Sequence, residues 1–322
     1  MNKSKLIFVL LTSLALGACS NDDEQVTQQP KSYPLTIEVT ENPLIPDGEE
    51  GGTTTRAAIT TNSTLTGFKM NYVYNTTSSS TSLTASKDEV AGKWKVTGDT
   101  WPVDGAGSDG TVTWYASTYD NFQYNSGTPY INFIVEEAAA NQHDLLVATA
   151  SGTYSGTGGN LSFTFDHACS ALRFYVKKST NLDSHTLSVT NIVLKNVKKR
   201  GKYYYGTSLW GDIDTNTDYT LYAGSAMTLG YDKTKDYVAL NGNFGSISEP
   251  YLFVIPQTLT AWNPSGALSN TYLELTCSIN GGGSQTAYIP FGATFDQGKK
   301  YDVKINIGKN SLYSSPNTLL IP

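Results

Sequence analysis

Cys19 is the residue whose surroundings specify a definite chemistry. It ends the run Leu16-Gly17-Ala18-Cys19, a lipobox whose small residues fit a signal peptidase and whose thiol accepts a diacylglycerol. Lys3, Lys5 and an apolar run precede it, as in a secretory signal peptide. The apolar run is shorter than the ~20 residues that a membrane-spanning helix needs. We therefore predict a signal peptide over residues 1–18 and acyl chains such as palmitate on Cys19.

The acidic charge of the chain argues against two classes of partner. The full chain has a net charge of −6, and removal of residues 1–18 takes away Lys3 and Lys5, which leaves −6 − 2 = −8. Such a dispersed negative charge attracts neither nucleic acid nor an anionic lipid surface. The cluster Ser20-Asn21-Asp22-Asp23-Glu24 resembles a surface-export signal and fits a solvated linker equally well. We assign residues 19–34 to a tether.

The side chains that build enzyme sites are scattered along the sequence. His143, His167 and His185 lie on different predicted elements, and the sequence contains no catalytic or phosphate-binding motif. For His167 we favour a hydrogen-bonded structural histidine over a catalytic base. A pair of glycosidase carboxylates stays open, because their spacing is spatial rather than sequential. The sequence predicts neither an enzyme nor a cofactor.

One acidic run superficially resembles the start of a calcium loop, namely Asp212-Ile213-Asp214-Thr215-Asn216-Thr217-Asp218. A calcium loop of this type needs glycine at its sixth position and a bidentate glutamate at its twelfth. These positions hold Thr217 and Ala223. We therefore interpret the run as a turn rich in Asp and Asn, and we predict no metal site.

Aromatic side chains cluster around a predicted turn at Tyr203-Tyr204-Tyr205 and Trp210. Exposed rings of this kind stack on sugars, whereas rings in sheets also pair across strands, and we favour the second interpretation. Cys169 and Cys277 have no CxxC or metal-ligand spacing. They form either one disulfide or two buried thiols, and we favour the thiols.

The elements that position these residues are predicted to be strands. Charged residues make up 16 % of the chain, below the roughly 25 % of most soluble domains. Apolar and polar residues alternate most clearly at Leu35–Val39 and Tyr301–Ile307. Further strands are predicted at 64–74, 92–97, 111–117, 131–135, 144–150, 161–165, 172–177, 187–197, 203–205, 252–255, 273–279 and 287–291. The best helical candidate is the Ala-rich segment 136–143.

Many short strands at this spacing predict an all-β protein built from antiparallel β-sandwiches. The glycine-rich run 151–160 is the predicted boundary between two of them. We expect an N-terminal sandwich over 35–158 and a C-terminal sandwich over 159–308, followed by a tail, 309–322. The loop 46–57 offers no apolar side chains to bury, so a protease can reach it.

The chain is similar to the fimbrillin family, the type V pilus subunits of Gram-negative anaerobes. The similarity rests on the order of short motifs along nearly the whole mature chain: the lipobox at Cys19, the strand Leu35–Val39, Thr53-Thr54-Thr55-Arg56-Ala57, Asp144-Leu145-Leu146-Val147-Ala148, Phe163-Thr164-Phe165-Asp166-His167-Ala168-Cys169-Ser170-Ala171-Leu172, and Phe295-Asp296-Gln297-Gly298-Lys299-Lys300-Tyr301. The resemblance implies two tandem transthyretin-like β-sandwiches and a surface-exposed lipoprotein of the outer membrane.

The resemblance also implies a maturation step. An Arg-specific protease cuts fimbrillins in the loop after the first strand, which corresponds here to Arg56 and Ala57. The cut releases the lipidated segment with its strand, and a strand from another pilus subunit, the same or related, fills the groove. Head-to-tail contacts of this kind build a filament, the fimbrium. The alternative for Arg56 is a solvated charge in a flexible loop.

The tail 309–322 is the candidate donor strand. Its 322 − 308 = 14 residues reach ~46 Å when extended, at ~3.3 Å per residue, which is enough to cross a neighbouring groove. Pro316 has to occupy a position without a ladder hydrogen bond. The side chains that would fill a groove best are Leu312, Leu319, Leu320 and Ile321.

Two functions follow from the sequence. The first is a structural subunit of a surface pilus that supports cell adhesion and polymerises by strand exchange after cleavage at Arg56. The alternative is a lipid-anchored surface lipoprotein that binds a glycan or host ligand through groups such as Trp210 without polymerising. A third hypothesis, an envelope hydrolase, has little support in the sequence.

Overall fold

Alternating and β-branched sequence gives a structure dominated by strands. A computed structural model describes residues 34–46, 65–74, 77–78, 82–88, 93–97, 101–102, 110–229, 238–240, 251–315 and 318–321. The predictions for residues 1–33, with the lipobox at Cys19, and those for Arg56 and Ala57 lie outside the described residues. Among the described residues, no helix has the length and apolar character needed to span a membrane.

Among the described residues, the first half of the chain has twelve strands and one short α-helix. In chain order they are β1 (Thr36–Glu41), β2 (Ile45–Pro46), β3 (Gly67–Tyr74), β4 (Thr77–Ser78), β5 (Leu83–Lys87), β6 (Trp94–Thr97), β7 (Val112–Ser117), β8 (Phe122–Asn125), β9 (Thr128–Ile134), β10 (Leu146–Gly152), α1 (Tyr154–Thr157), β11 (Asn160–His167) and β12 (Ser170–Lys178). The strands predicted at 111–117, 131–135, 161–165 and 172–177 are confirmed.

The second half continues with eleven strands. They are β13 (Leu187–Tyr204), β14 (Leu209–Leu229), β15 (Val238–Ala239), β16 (Leu252–Val254), β17 (Gln257–Leu259), β18 (Tyr272–Ile279), β19 (Gln285–Pro290), β20 (Ala293–Phe295), β21 (Lys299–Ile307), β22 (Tyr313–Ser315) and β23 (Thr318–Leu319). Three 3-10 helices also occur, at Ala139–Asn141, Thr180–Leu182 and Lys309–Ser311.

The strands form three large sheets and one small one. The first sheet has the order β1-β11-β10-β7-β3-β5-β6, with β4 on β3. The second has the order β15-β12-β21-β2, with β16 on β12, and the third β23-β22-β19-β18-β13-β9-β8, with β14 on β13. Strands β17 and β20 pair separately. The all-β prediction is confirmed.

Three strand pairs are parallel, which the antiparallel prediction omitted. They are β1 with β11, β2 with β21 and β12 with β21. Each pair joins strands that lie far apart in the chain, so no tight hairpin dictates an antiparallel direction. Two of the three pairs involve the first two strands of the chain.

The glycine-rich run between β10 and β11 forms a compact turn. Thr153 caps α1 by accepting a hydrogen bond from the Gly156 N–H at 3.0 Å, and Gly158 ends the helix at φ 62°. Both flanking strands belong to the first sheet, while β9 pairs with β13 in the third. The division into two sandwiches at residue 158 stays a prediction, and strand pairing crosses that position.

The buried side chains form two clusters. The first core lies against the first sheet and includes Phe68, Met70 and Trp114. The large core includes Leu172 and Leu275 and extends through the second and third sheets. Successive residues around the start of β10 point alternately into the two clusters, as the two-residue period of a strand requires.

The helix predicted at 136–143 is wrong. Only Ala139–Asn141 is helical, as one 3-10 turn. The buried side chain of Gln142 donates to the Glu136 carbonyl at 2.8 Å and accepts from the Phe253 N–H at 2.8 Å. Because these tertiary bonds fix the segment, its alanine-rich composition does not decide its conformation.

The turn predicted at 212–218 is also wrong, since the run lies inside β14. Asp212 and Thr215 have φ angles of 49° and 58°, and the register to β13 shifts there. These irregularities let the carboxylates reach cations across the strand pair, with Asp214 at 2.6 Å from Arg200 and Asp212 at 2.8 Å from Lys202. The acidic side chains are therefore used in ion pairs.

Candidate functional site

Residues 34–46, called here the edge segment, complete two sheets in succession. Strand β1 pairs with β11 from Thr36↔Asn160 to Glu41↔Phe165. Backbone hydrogen bonds continue beyond both ends, from the Thr36 N–H to the Gly159 carbonyl at 2.9 Å and from the Asn42 N–H to the Phe165 carbonyl at 2.8 Å. Strand β2 then pairs with the start of β21. One short segment thus covers an edge of the first sheet and an edge of the second.

The side chains of the edge segment alternate in and out. Leu35 and Ile37 are buried in the first core, and half-buried Val39 packs against it. Leu44 is buried in the large core, only 4 % exposed. Each fully buried aliphatic side chain of this size contributes about 1.5–3 kcal/mol of hydrophobic stabilisation. The segment therefore fills both cores as well as covering both sheets.

Gly159 makes the close approach of the edge segment possible. Its φ is +81°, and a β-carbon placed on it would lie 2.3 Å from the Pro34 carbonyl oxygen. No side chain fits at that distance from a backbone atom, and L-residues rarely adopt this φ. The glycine at this position is therefore required by the contact with the start of the segment.

The inward row of β1 ends on a carboxylate. Glu41 follows Leu35, Ile37 and Val39 at two-residue steps, and its Oε1 lies 3.6 Å from His167 Nε2. On the other side of the ring, His167 Nδ1 hydrogen-bonds Asp144 Oδ2. The His167 and Asp144 side chains are 2 % and 1 % exposed. We call these three residues the edge cluster.

Hydrogen bonding within the edge cluster is incomplete. Among the described residues, no hydrogen-bond partner exists for Glu41 Oε1, Asp144 Oδ1 or His167 Nε2, although all three atoms are buried. Buried polar atoms of this kind are expensive unless they are paired. The cluster therefore depends on the attraction between Glu41 and His167 across the strand interface.

The charges of the edge cluster shift its titration. Burial alone would lower the pKa of His167, but the hydrogen bond and charge of Asp144, with Glu41, raise it above the ordinary value. Burial raises the pKa of the Glu41 carboxyl, against the opposing effect of His167. His167 is hydrogen-bonded, as predicted, and its ring is fully buried. Its partners were missed, although Glu41 continues the alternation of the predicted strand.

A groove continues the edge beyond the edge segment. Strand β2 covers only Lys299 and Lys300 of β21, and within the described residues no other strand pairs on that side of β21. The groove has a volume of about 740 Å³. Phe291 and Val303 supply apolar lining, and Arg173 lines it beside Asp302, to which it donates two hydrogen bonds at 3.0 and 3.1 Å. Among the described residues, β21 is therefore unpaired on this side beyond Lys300.

The tail lies on the third sheet of its own chain. Strand β22 pairs with β19 through Tyr288↔Tyr313, and β23 folds back on β22. Leu312 is fully buried and Ile321 is 8 % exposed, both in the large core. Leu320 is half-buried and Leu319 is 36 % exposed. The donor-strand role of these four residues stays a prediction, and it would require the tail to leave this position.

The aromatic cluster is a packed part of the sheet. Tyr203 and Trp210 are cross-strand partners with ring centroids 5.7 Å apart, which confirms the predicted pairing. The Trp210 indole N–H donates to the Ala168 carbonyl at 2.7 Å, and its ring packs on Phe133. The Trp210 ring therefore already packs against aromatic side chains of its own chain.

Cys169 and Cys277 are both free and buried, which confirms the prediction of buried thiols. Burial raises the pKa of Cys277 to about 11 and raises that of Cys169 well above its ordinary value. Both therefore stay protonated at neutral pH. The described part of the chain holds no group of three or more His, Cys, Asp or Glu side chains placed to bind a metal ion.

Comparison with known proteins finds matches over most of the chain. The family model described as fimbrillin-like matches residues 51–319. A fimbrial protein from Bacteroides vulgatus superposes with a TM-score of 0.51 at 16 % identity, over 86 % of this chain and 96 % of its own. A candidate cell adhesion protein from Bacteroides ovatus has a TM-score of 0.49 at 13 % identity, over 88 % and 95 %. At such identities the likeness concerns the fold, and no curated protein matches the chain.

Proposed function

The chain belongs to the fimbrillin-like family, and from that premise we propose that it is a structural subunit of a surface pilus that supports adhesion. Lipid on Cys19 delivers the exported chain to the cell surface at the outer membrane. An Arg-specific protease cuts between Arg56 and Ala57. The edge segment then leaves, and a strand from another pilus subunit, identical or related, binds in its place.

One observation carries the proposal, namely the position of the edge segment. It lies on the N-terminal side of Arg56, it pairs in parallel with both β11 and β21, and it fills two cores. Its removal would expose a sheet edge and an apolar groove together. Main-chain hydrogen bonds and alternating side chains from a partner strand satisfy such an edge. The open groove along β21 would extend the contact.

The tail, which lies on the third sheet, is the proposed donor. Exposed Leu319 is available without unfolding, whereas Leu312 and Ile321 must first leave the large core. Donation therefore requires the hairpin of β22 and β23 to open. That requirement would restrict polymerisation to subunits whose tail has been released.

Cleavage and polymerisation are tested together on the full chain. Purified wild type and Arg56→Gln are treated with an Arg-specific protease, then subjected to N-terminal sequencing and to electrophoresis in mild denaturant. We expect a new N-terminus at Ala57 and a ladder of oligomers from wild type alone. Wild-type protein that is fully cut at Arg56 and remains monomeric would rule out the stalk role.

The roles of the tail and the lipid are tested separately. Leu319→Asp places a charge on an exposed tail residue, so the subunit should fold normally but fail as a donor. Mixing it with wild type should shorten the ladder, and ladders of unchanged length would remove the tail from the mechanism. In cells, Cys19→Ser should abolish acylation of the precursor, measured by mass spectrometry of the recovered protein.

A further inference from the structure

The pairing of β1 with β11 does not by itself require charged residues at the position of the edge cluster. The inward positions of β1 before it are apolar, and they pack on Leu161, Phe163 and other residues of the first core. The strand remains paired up to Glu41, and the Asn42 N–H still bonds β11. A fourth apolar residue would satisfy the alternation. Instead Glu41 faces a buried imidazole that a second buried carboxylate holds in place.

Asp144 determines the direction of the imidazole. Its Oδ2 engages His167 Nδ1, so Nε2 points to the edge where β1 lies. Asp144 and His167 stand on the sheet itself, near the start of β10 and at the end of β11. Glu41 alone belongs to the segment that covers the edge. If β1 leaves, the carboxylate facing Nε2 leaves with it, while the buried pair stays.

We propose that His167 and Asp144 select the strand that occupies this edge by requiring a carboxylate at the position of Glu41. The matching strand has apolar residues at three alternate positions and an acidic residue at the fourth. An apolar residue there would remove the negative charge that lies 3.6 Å from His167 Nε2 and leave the buried imidazole without its counter-charge on that side, which is costly. A slip by one residue would turn the carboxylate outward, so the same contact fixes the register.

The requirement also indicates where the partner strand comes from. Residues 309–322 contain neither Asp nor Glu. These residues of an identical copy could fill the edge but would lack this contact, so a strand of another subunit that carries an acidic residue at the fourth inward position is preferred over them. This identification of the partner rests on the strand replacement proposed above. The contact between Glu41 and His167 does not depend on it.

The contact is tested on the intact chain. Hydrogen–deuterium exchange of residues 34–46 is compared for wild type, Glu41→Gln, His167→Gln and the control Glu38→Gln, whose outward side chain is exposed. We expect exchange in Glu41→Gln to rise about tenfold, the loss of one charge-assisted contact, with no change in Glu38→Gln. The double variant with both Glu41→Gln and His167→Gln should exchange no faster than either single variant. Equal exchange in Glu41→Gln and Glu38→Gln would overturn the proposal, and unchanged exchange in β18 verifies folding.

Selection is then tested on protein cut at Arg56. Synthetic peptides of residues 34–46 with the wild-type sequence, Glu41→Gln or Glu38→Gln compete for the vacated edge. The Glu41→Gln peptide should bind about tenfold more weakly than the other two. Equal binding of all three contradicts selection. If the chain is not cut or keeps its segment, the proposed function fails, while the intact-chain measurement still decides the contact.

Discussion

The two ends of the described chain cover sheet edges in different ways. The edge segment adds β1 in parallel along β11 and ends on a charged contact with His167. The tail makes a hairpin whose pairing with β19 is one residue pair, Tyr288↔Tyr313, and whose hold on the protein is the burial of Leu312 and Ile321. The first combines a long backbone ladder and a polar end with buried side chains such as Ile37 and Leu44, whereas the second has little ladder and relies on apolar side chains.

Because of this difference, the edge segment and the tail would be released from the protein in different ways. A ladder along an exposed edge can be replaced by another strand that makes the same hydrogen bonds. The replacing strand can also refill the apolar positions of β1. The tail pairs with β19 at one residue pair only, so removing its buried side chains lowers the stability of the large core. The edge segment therefore resembles an exchangeable component, and the tail an integral part of the large core.

The largest effect on the free energy of unfolding is expected for a substitution in the tail. Leu312→Ala removes a fully buried side chain and should lower the free energy of unfolding by about 2–5 kcal/mol in urea denaturation. Leu319→Ala, at a site 36 % exposed, should change it by less than about 0.5 kcal/mol. A small effect of Leu312→Ala would show that the tail is as separable as the edge segment.

A second test opens the edge segment through its backbone neighbour. Gly159→Ala combines an unfavourable φ with a clash against the Pro34 carbonyl, so it should destabilise the segment by about 1–3 kcal/mol. Gly127→Ala is the matched control, since its φ is +82° and nothing lies within 4 Å. Hydrogen exchange should rise at residues 34–46 in the first variant alone. Faster exchange throughout the large core would contradict the separability of the segment.

The two ends should also differ in their response to pH. The pKa of His167 is raised in the fold, so its contribution is complete below the unfolded value of about 6.5 and is lost as the pH rises through the folded value. The pKa of Glu41 is also raised, which acts in the same direction. The groups facing His167 are Asp144 and Glu41, and the buried Cys169 thiol stays neutral.

Protection of the edge segment, corrected for intrinsic exchange rates, should therefore fall as the pH rises from about 6.5 through the raised pKa of His167. His167→Gln should flatten this dependence. Protection around Leu312, which is buried in the large core, should not follow it. A pH response of the same size at both ends would remove the electrostatic distinction.

The smallest effect is expected at the exposed end of the ladder. Asn42 donates to Asp166 Oδ1 at 2.7 Å in an exposed position, so Asn42→Ala should cost only about 0.5 kcal/mol. Hydrogen exchange limited to residues 40–46 is the appropriate measurement. If Asn42→Ala had as large an effect as Glu41→Gln, the buried carboxylate would not be the main determinant of specificity at this edge.

Alternation predicted the strands well because it reports directly on burial. Tyr301–Ile307 and Leu35–Val39 both lie in observed strands. The directions of the strands were less accessible, since parallel pairs such as β1 with β11 join segments more than a hundred residues apart. Local composition also failed at 136–143, where the tertiary hydrogen bonds of Gln142 override helix propensity.

The site was predictable in part. Leu35–Val39 was identified as the first strand, and continuing its two-residue period would have placed Glu41 on the inward face. The partners of Glu41 were not predictable, because Asp144 and His167 reach it only through the pairing of β1, β11 and β10. Asp212–Asp218 failed for a related reason. Its ion pairs with Lys202 and Arg200 depend on a register shift that no local pattern encodes.

The parallel direction of β1 on β11 has a mechanical consequence. When a force pulls the two strands of a parallel pair from opposite ends, it acts along the ladder and loads all the hydrogen bonds together in shear. A force applied across the adjacent ends of an antiparallel hairpin such as β22 and β23 peels its bonds one after another. A filament joined by strands in the β1 position would therefore resist tension at its joints, while each joint could still form slowly, one residue pair at a time.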